Sequence, residues 1–188
     1  MKIFLVDNYD SFTYNLVHYL EAFDVEVTVK RNDEFELDEL ATYDRIVLSP
    51  GPGLPKDAGK MLEVIERFHA IKPIFGVCLG HQALATYFGD AIYNMNNIYH
   101  GMSSMVQVDN THYLFNGMSD EVEVGRYHSW AVKAVSSKWN ILATSKEEKV
   151  IMAMEHKEYP LIGVQFHPES IMTPQGKQMI KNWITHTY

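Results

Sequence analysis

Hydrophobic positions in the first half of the chain switch repeatedly between strand spacing and helix spacing. Ile3, Phe4, Leu5 and Val6 form one continuous apolar run, so Lys2 to Asp7 reads as a strand. Ser11 to Phe23 then carries Phe12, Leu16, Tyr19, Leu20 and Phe23 at helical spacing, and the β-branched stretch Val25 to Lys30 predicts a second strand. After a short acidic segment, Arg45 to Ser49 predicts a third strand. Ala58 to Ala70 predicts a helix with Met61, Leu62, Ile65 and Phe68 on one face, and Pro73 to Val77 a fourth strand. Strands that alternate with helices imply a parallel sheet joined by right-handed crossovers.

From Ala91 the texture changes. Glu121 to Val124, Ala131 to Val135, Ile141 to Thr144, Val150 to Glu155 and Leu161 to Phe166 follow one another with little room for helices, which predicts antiparallel additions. A last helix is expected to be capped by Thr173, to take Pro174 as its first residue, and to run through Met179, Ile180, Trp183 and Ile184. The expected architecture is a three-layer α/β domain with a mostly parallel central sheet and antiparallel extensions. Residues 1–188 read as a single domain, since no linker, repeat or low-complexity stretch divides them.

Composition narrows the function. With 188 residues and 46% hydrophobic content, the chain can bury a core without staples. Its 24 acidic residues outnumber 16 basic ones, and the formal charge of −8 without a basic run argues against nucleic acid as a ligand. The apolar stretch at the N-terminus is too short for a signal peptide, and no run approaches the ~20 residues needed to span a bilayer, so a cytoplasmic protein away from membranes is expected. Cys78 is the one cysteine, which excludes an internal disulfide and a cysteine-based zinc site; no metal or cofactor is expected.

That thiol sits where strand four runs into Cys78-Leu79-Gly80-His81-Gln82-Ala83-Leu84-Ala85, a segment that looks helical. Gly76 and Gly80 flank it by two residues on either side, the spacing of a nucleophile elbow with sulfur in place of oxygen. A buried core cysteine is the commoner fate of a lone thiol. The glycines favour the elbow, because they let the backbone turn sharply and let a substrate approach, while a helix N-terminus favours thiolate. His167 and Glu169, two apart in extended backbone around Pro168, can supply a base and its orienting carboxylate; His81 is a competing base. Pro50-Gly51-Pro52-Gly53 makes a rigid loop able to present backbone N–H groups to an oxyanion together with that of Leu79. Asp7 to Thr13 closes strand one at the same sheet edge, either as a turn with a helix cap at Asp10 or Ser11 or as a border of the site.

Five blocks in order resemble those of the class I, or triad, glutamine amidotransferases. They are Asp7 to Asn15, Ser49 to Gly53, Gly76 to Gln82, Arg126 to Ser129, and Gln165 to Ser170. Within that family the chain is most similar to the small subunits of anthranilate synthase and aminodeoxychorismate synthase. The resemblance spans the whole chain and implies a flavodoxin-like fold. It implies Cys78 as nucleophile, His167 as general base and then acid, and Glu169 as orienter. L-glutamine would be held by Gly51, Pro52 and Gly53, by Leu79 and Gln82, and by the backbone of Ser129 and Trp130; leucine is also common at the last position. It further implies hydrolysis to glutamate and ammonia, and delivery of the ammonia to a chorismate-using large subunit in a hetero-oligomer. Two alternatives are a stand-alone cysteine amidase or peptidase, which need not bind free glutamine, and a non-catalytic subunit, which would need a damaged triad.

Overall fold

The computed structural model describes residues Met1–Tyr188. In the first half, β1 (Lys2–Asp7), α1 (Thr13–Glu21), β2 (Glu26–Arg31), β3 (Arg45–Leu48), α2 (Met61–Phe68), β4 (Ile74–Val77) and α3 (Leu79–Tyr87) alternate as the periodicity predicts. The second half adds the strands β5 (Ile92–Asn94), β6 (Met102–Val108), β7 (Glu121–Arg126), β8 (Trp130–Val132), β9 (Trp139–Ser145), β10 (Ile151–His156) and β11 (Leu161–Val164), and then α4 (Gly176–Thr185).

Nine strands form one sheet in the order β2-β1-β3-β4-β11-β10-β9-β6-β7. The five strands from β2 to β11 are parallel, and each later neighbour is antiparallel, while β5 and β8 pair apart as a small ribbon. Alternation within the central strands builds the layers. Ile3 and Leu5 face a core shared with Leu16 and Leu20 of α1 and with Met179, Ile180 and Trp183 of α4. Phe4 and Val6 face Val64, Ile65 and Phe68 of α2 and Leu84 of α3 on the other side. A sheet covered on both faces is buried throughout, which is why its strands read as unbroken apolar runs.

Several expected boundaries move. Residues 58–60 precede the helix predicted from Ala58; α2 begins at Met61, behind a short 3-10 turn at Pro55–Asp57. Thr173 does not cap α4, which starts at Gly176 behind Gln175. Its hydroxyl instead donates to the His167 carbonyl (2.6 Å) and accepts from the Gly125 N–H (3.0 Å), because two buried main-chain groups there have a stronger claim on it. Neither Asp10 nor Ser11 caps α1, whose N-cap is Phe12 without a side-chain bond; the Asp10 carboxylate accepts from the Phe12 N–H within the turn (2.8 Å). The strands β5 and β6 were not expected: β6 reads MSSMVQV and buries only Val106 and Val108.

Candidate active site

Cys78 stands between β4 and α3 with φ +51° and ψ −98°, a backbone conformation that L-residues seldom adopt. The neighbouring glycines make that turn possible. A Cβ at residue 76 would lie 2.6 Å from the Gly80 carbonyl carbon and oxygen, and one at residue 80 would lie 2.5 Å from the Leu48 carbonyl oxygen. Helix and strands therefore meet backbone to backbone, and the Cys78 N–H is tied to the Val164 carbonyl of β11 (2.8 Å). As the first helical residue, Leu79 has an N–H with no acceptor inside α3, so it is available to an oxyanion beside the sulfur.

Because β11 pairs in register with β4, Val164 against Val77, the chain leaves β11 next to the elbow and carries His167 to it. Its imidazole is buried, and Nδ1 lies 2.6 Å from Oε1 of Glu169, whose side chain is fully buried. The other nitrogen, Nε2, is buried without a hydrogen bond. Phe12 and Tyr127 pack edge-on against the ring at 5.6 and 4.9 Å between centroids, which holds its plane. Burial pushes the His167 pKa down, but the Glu169 carboxylate and the nearby Cys78 sulfur outweigh it, and the net direction is well above the ordinary histidine value.

Gly51, Pro52, Gly53, Cys78, Gln82, Tyr127, His128, Ser129 and Trp130 line a cleft of about 220 Å³. Its size is on the scale of a free amino acid. Gln82 Nε2 donates to the Trp130 carbonyl (2.9 Å) and to Oε1 of Gln165 (3.1 Å), and Gln165 Nε2 approaches the Cys78 sulfur at 3.6 Å. Behind the Pro-Gly loop, the Asn8 amide donates to the Ser49 carbonyl (2.8 Å), and the Asn8 N–H donates to the Ser49 hydroxyl (2.8 Å). Asp7 accepts from the Tyr9 N–H and the Thr13 hydroxyl (3.0 and 2.8 Å). The Asp7 to Thr13 block is thus both a turn and, through Phe12 against His167, a border of the site.

His81 packs beside the elbow, against Gly163 of β11, and does not line the cleft. It is buried, neither ring nitrogen makes a hydrogen bond, and burial lowers its pKa to about 4. A Cβ at Gly163 would lie 2.6 Å from its Nδ1, so that glycine of β11 provides its space. Gln165, Tyr127 and His128 carry no individual signal in the sequence, although each falls within or next to a recognisable block. A larger shallow depression of about 750 Å³ lies far from this edge, lined by Met1, Arg45, Pro73 and Tyr188 among others, and contains no candidate nucleophile.

The chain matches known proteins along nearly its whole length. A family model described as glutamine amidotransferase class-I matches residues 4–187. The chain is 45% identical to aminodeoxychorismate/anthranilate synthase component 2 of Bacillus subtilis, over 97% of this chain and 95% of the relative. It is also 45% identical to anthranilate synthase component II of Haloarcula marismortui, over 97% of each. Aminodeoxychorismate synthase component 2 of Escherichia coli is 41% identical over 97% of this chain and 98% of its own length. A crystal structure of a Thermoplasma acidophilum protein, described as one of the subunits of GMP synthase, superposes with a TM-score of 0.88 at 26% identity, covering 98% of this chain and 92% of that one. With its family match, its relatives and its cysteine elbow in agreement, the chain belongs to the class-I glutamine amidotransferase family.

Proposed function

We propose that the chain is the glutamine-hydrolysing small subunit of anthranilate synthase, and that it passes ammonia to a chorismate-using large subunit. The observation that carries the chemistry is the junction of Cys78, on a strained elbow above the amino-acid-sized cleft, with His167, whose far nitrogen is held by Glu169. Relatives named as component II or component 2 of such synthases, aligned end to end, carry the pathway.

In this reading His167 takes the Cys78 proton and the thiolate attacks the side-chain carbonyl of L-glutamine. The C=O electrons move onto oxygen, where the Leu79 N–H and the Gly51-Pro52-Gly53 loop stabilise the oxyanion. The C–N bond then breaks as His167 returns its proton to the leaving nitrogen, releasing ammonia and leaving a glutamyl thioester. His167 next removes a proton from water, which attacks the thioester; glutamate departs and the thiol is restored. Glu169 holds the imidazole in one orientation and stabilises its cation. Gln82 and the Ser129-Trp130 backbone hold the substrate. No step uses a metal or cofactor, and the whole chain, 1–188, acts as one glutaminase domain.

No helix is long and apolar enough to cross a membrane. We assign the protein to the cytoplasm, where a lone reactive thiol stays reduced. The second reading, the small subunit of aminodeoxychorismate synthase, is favoured by the names of the Escherichia coli and Bacillus subtilis relatives.

The test is reconstitution with each chorismate-using large subunit. Cys78→Ala is expected to make no product from glutamine yet full product from ammonium salt at high pH, where free ammonia is abundant. Anthranilate as the product supports the first reading and aminodeoxychorismate the second. Wild-type glutamine turnover that is fast alone and indifferent to every large subunit would reject both.

A further inference from the structure

Four of the nine residues lining the cleft, Tyr127, His128, Ser129 and Trp130, belong to one short segment held from outside by a chain of contacts centred on a buried arginine. Arg126 is 1% exposed. Its Nη1 meets Glu148 at 3.1 Å, its guanidinium lies 3.4 Å from the Tyr99 ring centroid, and its Nε–H donates to Nε2 of His128 at 3.1 Å. A guanidinium can only donate, so Nε2 of His128 accepts and its proton resides on Nδ1. That Nδ1 lies 2.9 Å from the Trp130 carbonyl, to which it therefore donates. The same carbonyl receives Gln82, which continues to Gln165 and the Cys78 sulfur.

Two independent contacts thus leave His128 one tautomer, and two donors converge on one carbonyl at the rim of the cleft. Main-chain bonds from outside reinforce the segment: the Met95 N–H donates to the Ser129 carbonyl (2.8 Å) and the Tyr99 N–H to the His128 carbonyl (3.1 Å). Burying a guanidinium costs desolvation, which here is offset by the Glu148 carboxylate, the Tyr99 ring and the His128 imidazole together. His128 itself stays neutral, its pKa lowered to about 3 by burial and by the Arg126 charge.

We propose that Arg126 and His128 are positioning residues for glutamine, with Glu148 as their surface anchor: the Arg126–His128 relay fixes the Trp130 carbonyl and with it the Ser129-Trp130 wall against which the substrate lies. The inference rests on glutamine being the substrate of Cys78. Neither residue touches the reacting atoms; their effect is on recognition and not on the reactivity of the thiol. His128→Asn keeps a donor near the position of Nδ1 and is expected to recover much of what His128→Ala loses.

Because Cys78 is the one thiol, two alkylating probes separate recognition from reactivity. Iodoacetamide needs only the sulfur, whereas the glutamine-shaped diazoketone diazo-oxo-norleucine needs the wall as well. For His128→Ala the labelling rate with the diazoketone is expected to fall about tenfold while the iodoacetamide rate holds, with a matching rise in KM for glutamine and little change in kcat. His128→Asn should lose clearly less. Glu148 is partly exposed; Glu148→Ala, its fold verified by a circular dichroism spectrum matching wild type, should lower diazoketone labelling about threefold. Equal falls with both probes, or no fall with the diazoketone in either His128→Ala or Glu148→Ala, overturn the proposal. A wild-type protein that the diazoketone does not label at Cys78 would instead remove the glutaminase reading on which it rests.

Discussion

Replacing His81 by leucine should make the protein more resistant to acid. The native imidazole is buried without a hydrogen bond and holds its pKa near 4, against 6.5 for the exposed group in the unfolded chain. A histidine with a depressed native pKa binds its proton in the unfolded state first. Stability is therefore lost as pH falls through 6.5 and continues to fall until the native pKa near 4 is reached. At pH 5 the unfolded chain has gained about 1.5 pH units of protonation free energy, which at about 1.4 kcal/mol per unit is about 2 kcal/mol. His128, with a native pKa near 3, contributes a similar loss to both proteins and cancels in the comparison. Leucine is close to histidine in volume, and Gly163 leaves the space that the ring fills, so packing survives and two unsatisfied nitrogens disappear. Urea unfolding at pH 7 and pH 5, with a shared slope, measures the difference. Wild type should lose about 2 kcal/mol more than His81→Leu between the two pH values. Equal losses would refute the buried neutral imidazole. Glutamine turnover by His81→Leu at neutral pH tests the competing base: a variant more damaged than His167→Ala would exchange their roles.

His167→Ala should lower glutamine turnover by about 10³-fold or more, and Glu169→Gln by less, about 10- to 100-fold, since the imidazole remains but is less well oriented. Without the carboxylate charge the His167 pKa should also move down, seen as a lower midpoint of its imidazole resonance in an NMR titration; an unchanged midpoint would argue against the pairing. Gly76→Ala places a Cβ 2.6 Å from the Gly80 backbone, which cannot yield as a side chain could, and should cost about 3 kcal/mol, or roughly 10 °C in melting temperature. A melting temperature within error of wild type would show that the elbow has room for a methyl group after all.

The chain's apolar periodicity carried the first half of the fold because each element there is local. Every helix between β1 and α3 is bounded by the strands it connects, and runs such as Ile3 to Val6 have one stable outcome, burial on both faces. The elbow was legible for the same reason, since Gly76 and Gly80 meet each other within five residues of chain. His167 and Glu169 do pair, but through a turn closed by the Ser170 N–H on the His167 carbonyl (3.2 Å) and not through the extended backbone that their spacing suggested. The sheet's far half carried a weaker signal: β6 is mostly exposed, so alternation of Met, Ser and Gln hid a strand that main-chain pairing to β7 and β9 stabilises. Thr173 shows the opposite failure, a good local cap diverted by buried backbone groups from two other segments.

By itself, then, the sequence determined which residues could react and which local frame each would occupy: a thiol on a glycine-flanked turn, an imidazole with a carboxylate two residues on, and a rigid Pro-Gly loop. Which of them meet was decided only by tertiary pairing. An unbroken apolar run says that Leu161–Val164 is a buried strand but names no neighbour. Its parallel register with Ile74–Val77 brings residues nearly ninety positions apart to one sheet edge. The same holds for Arg126, His128 and Glu148. Their contacts depend on the turn after β9, the end of β7 and the loop at 95–101 arriving together, and hydrogen bonds between distant segments leave no periodic trace in the chain that makes them.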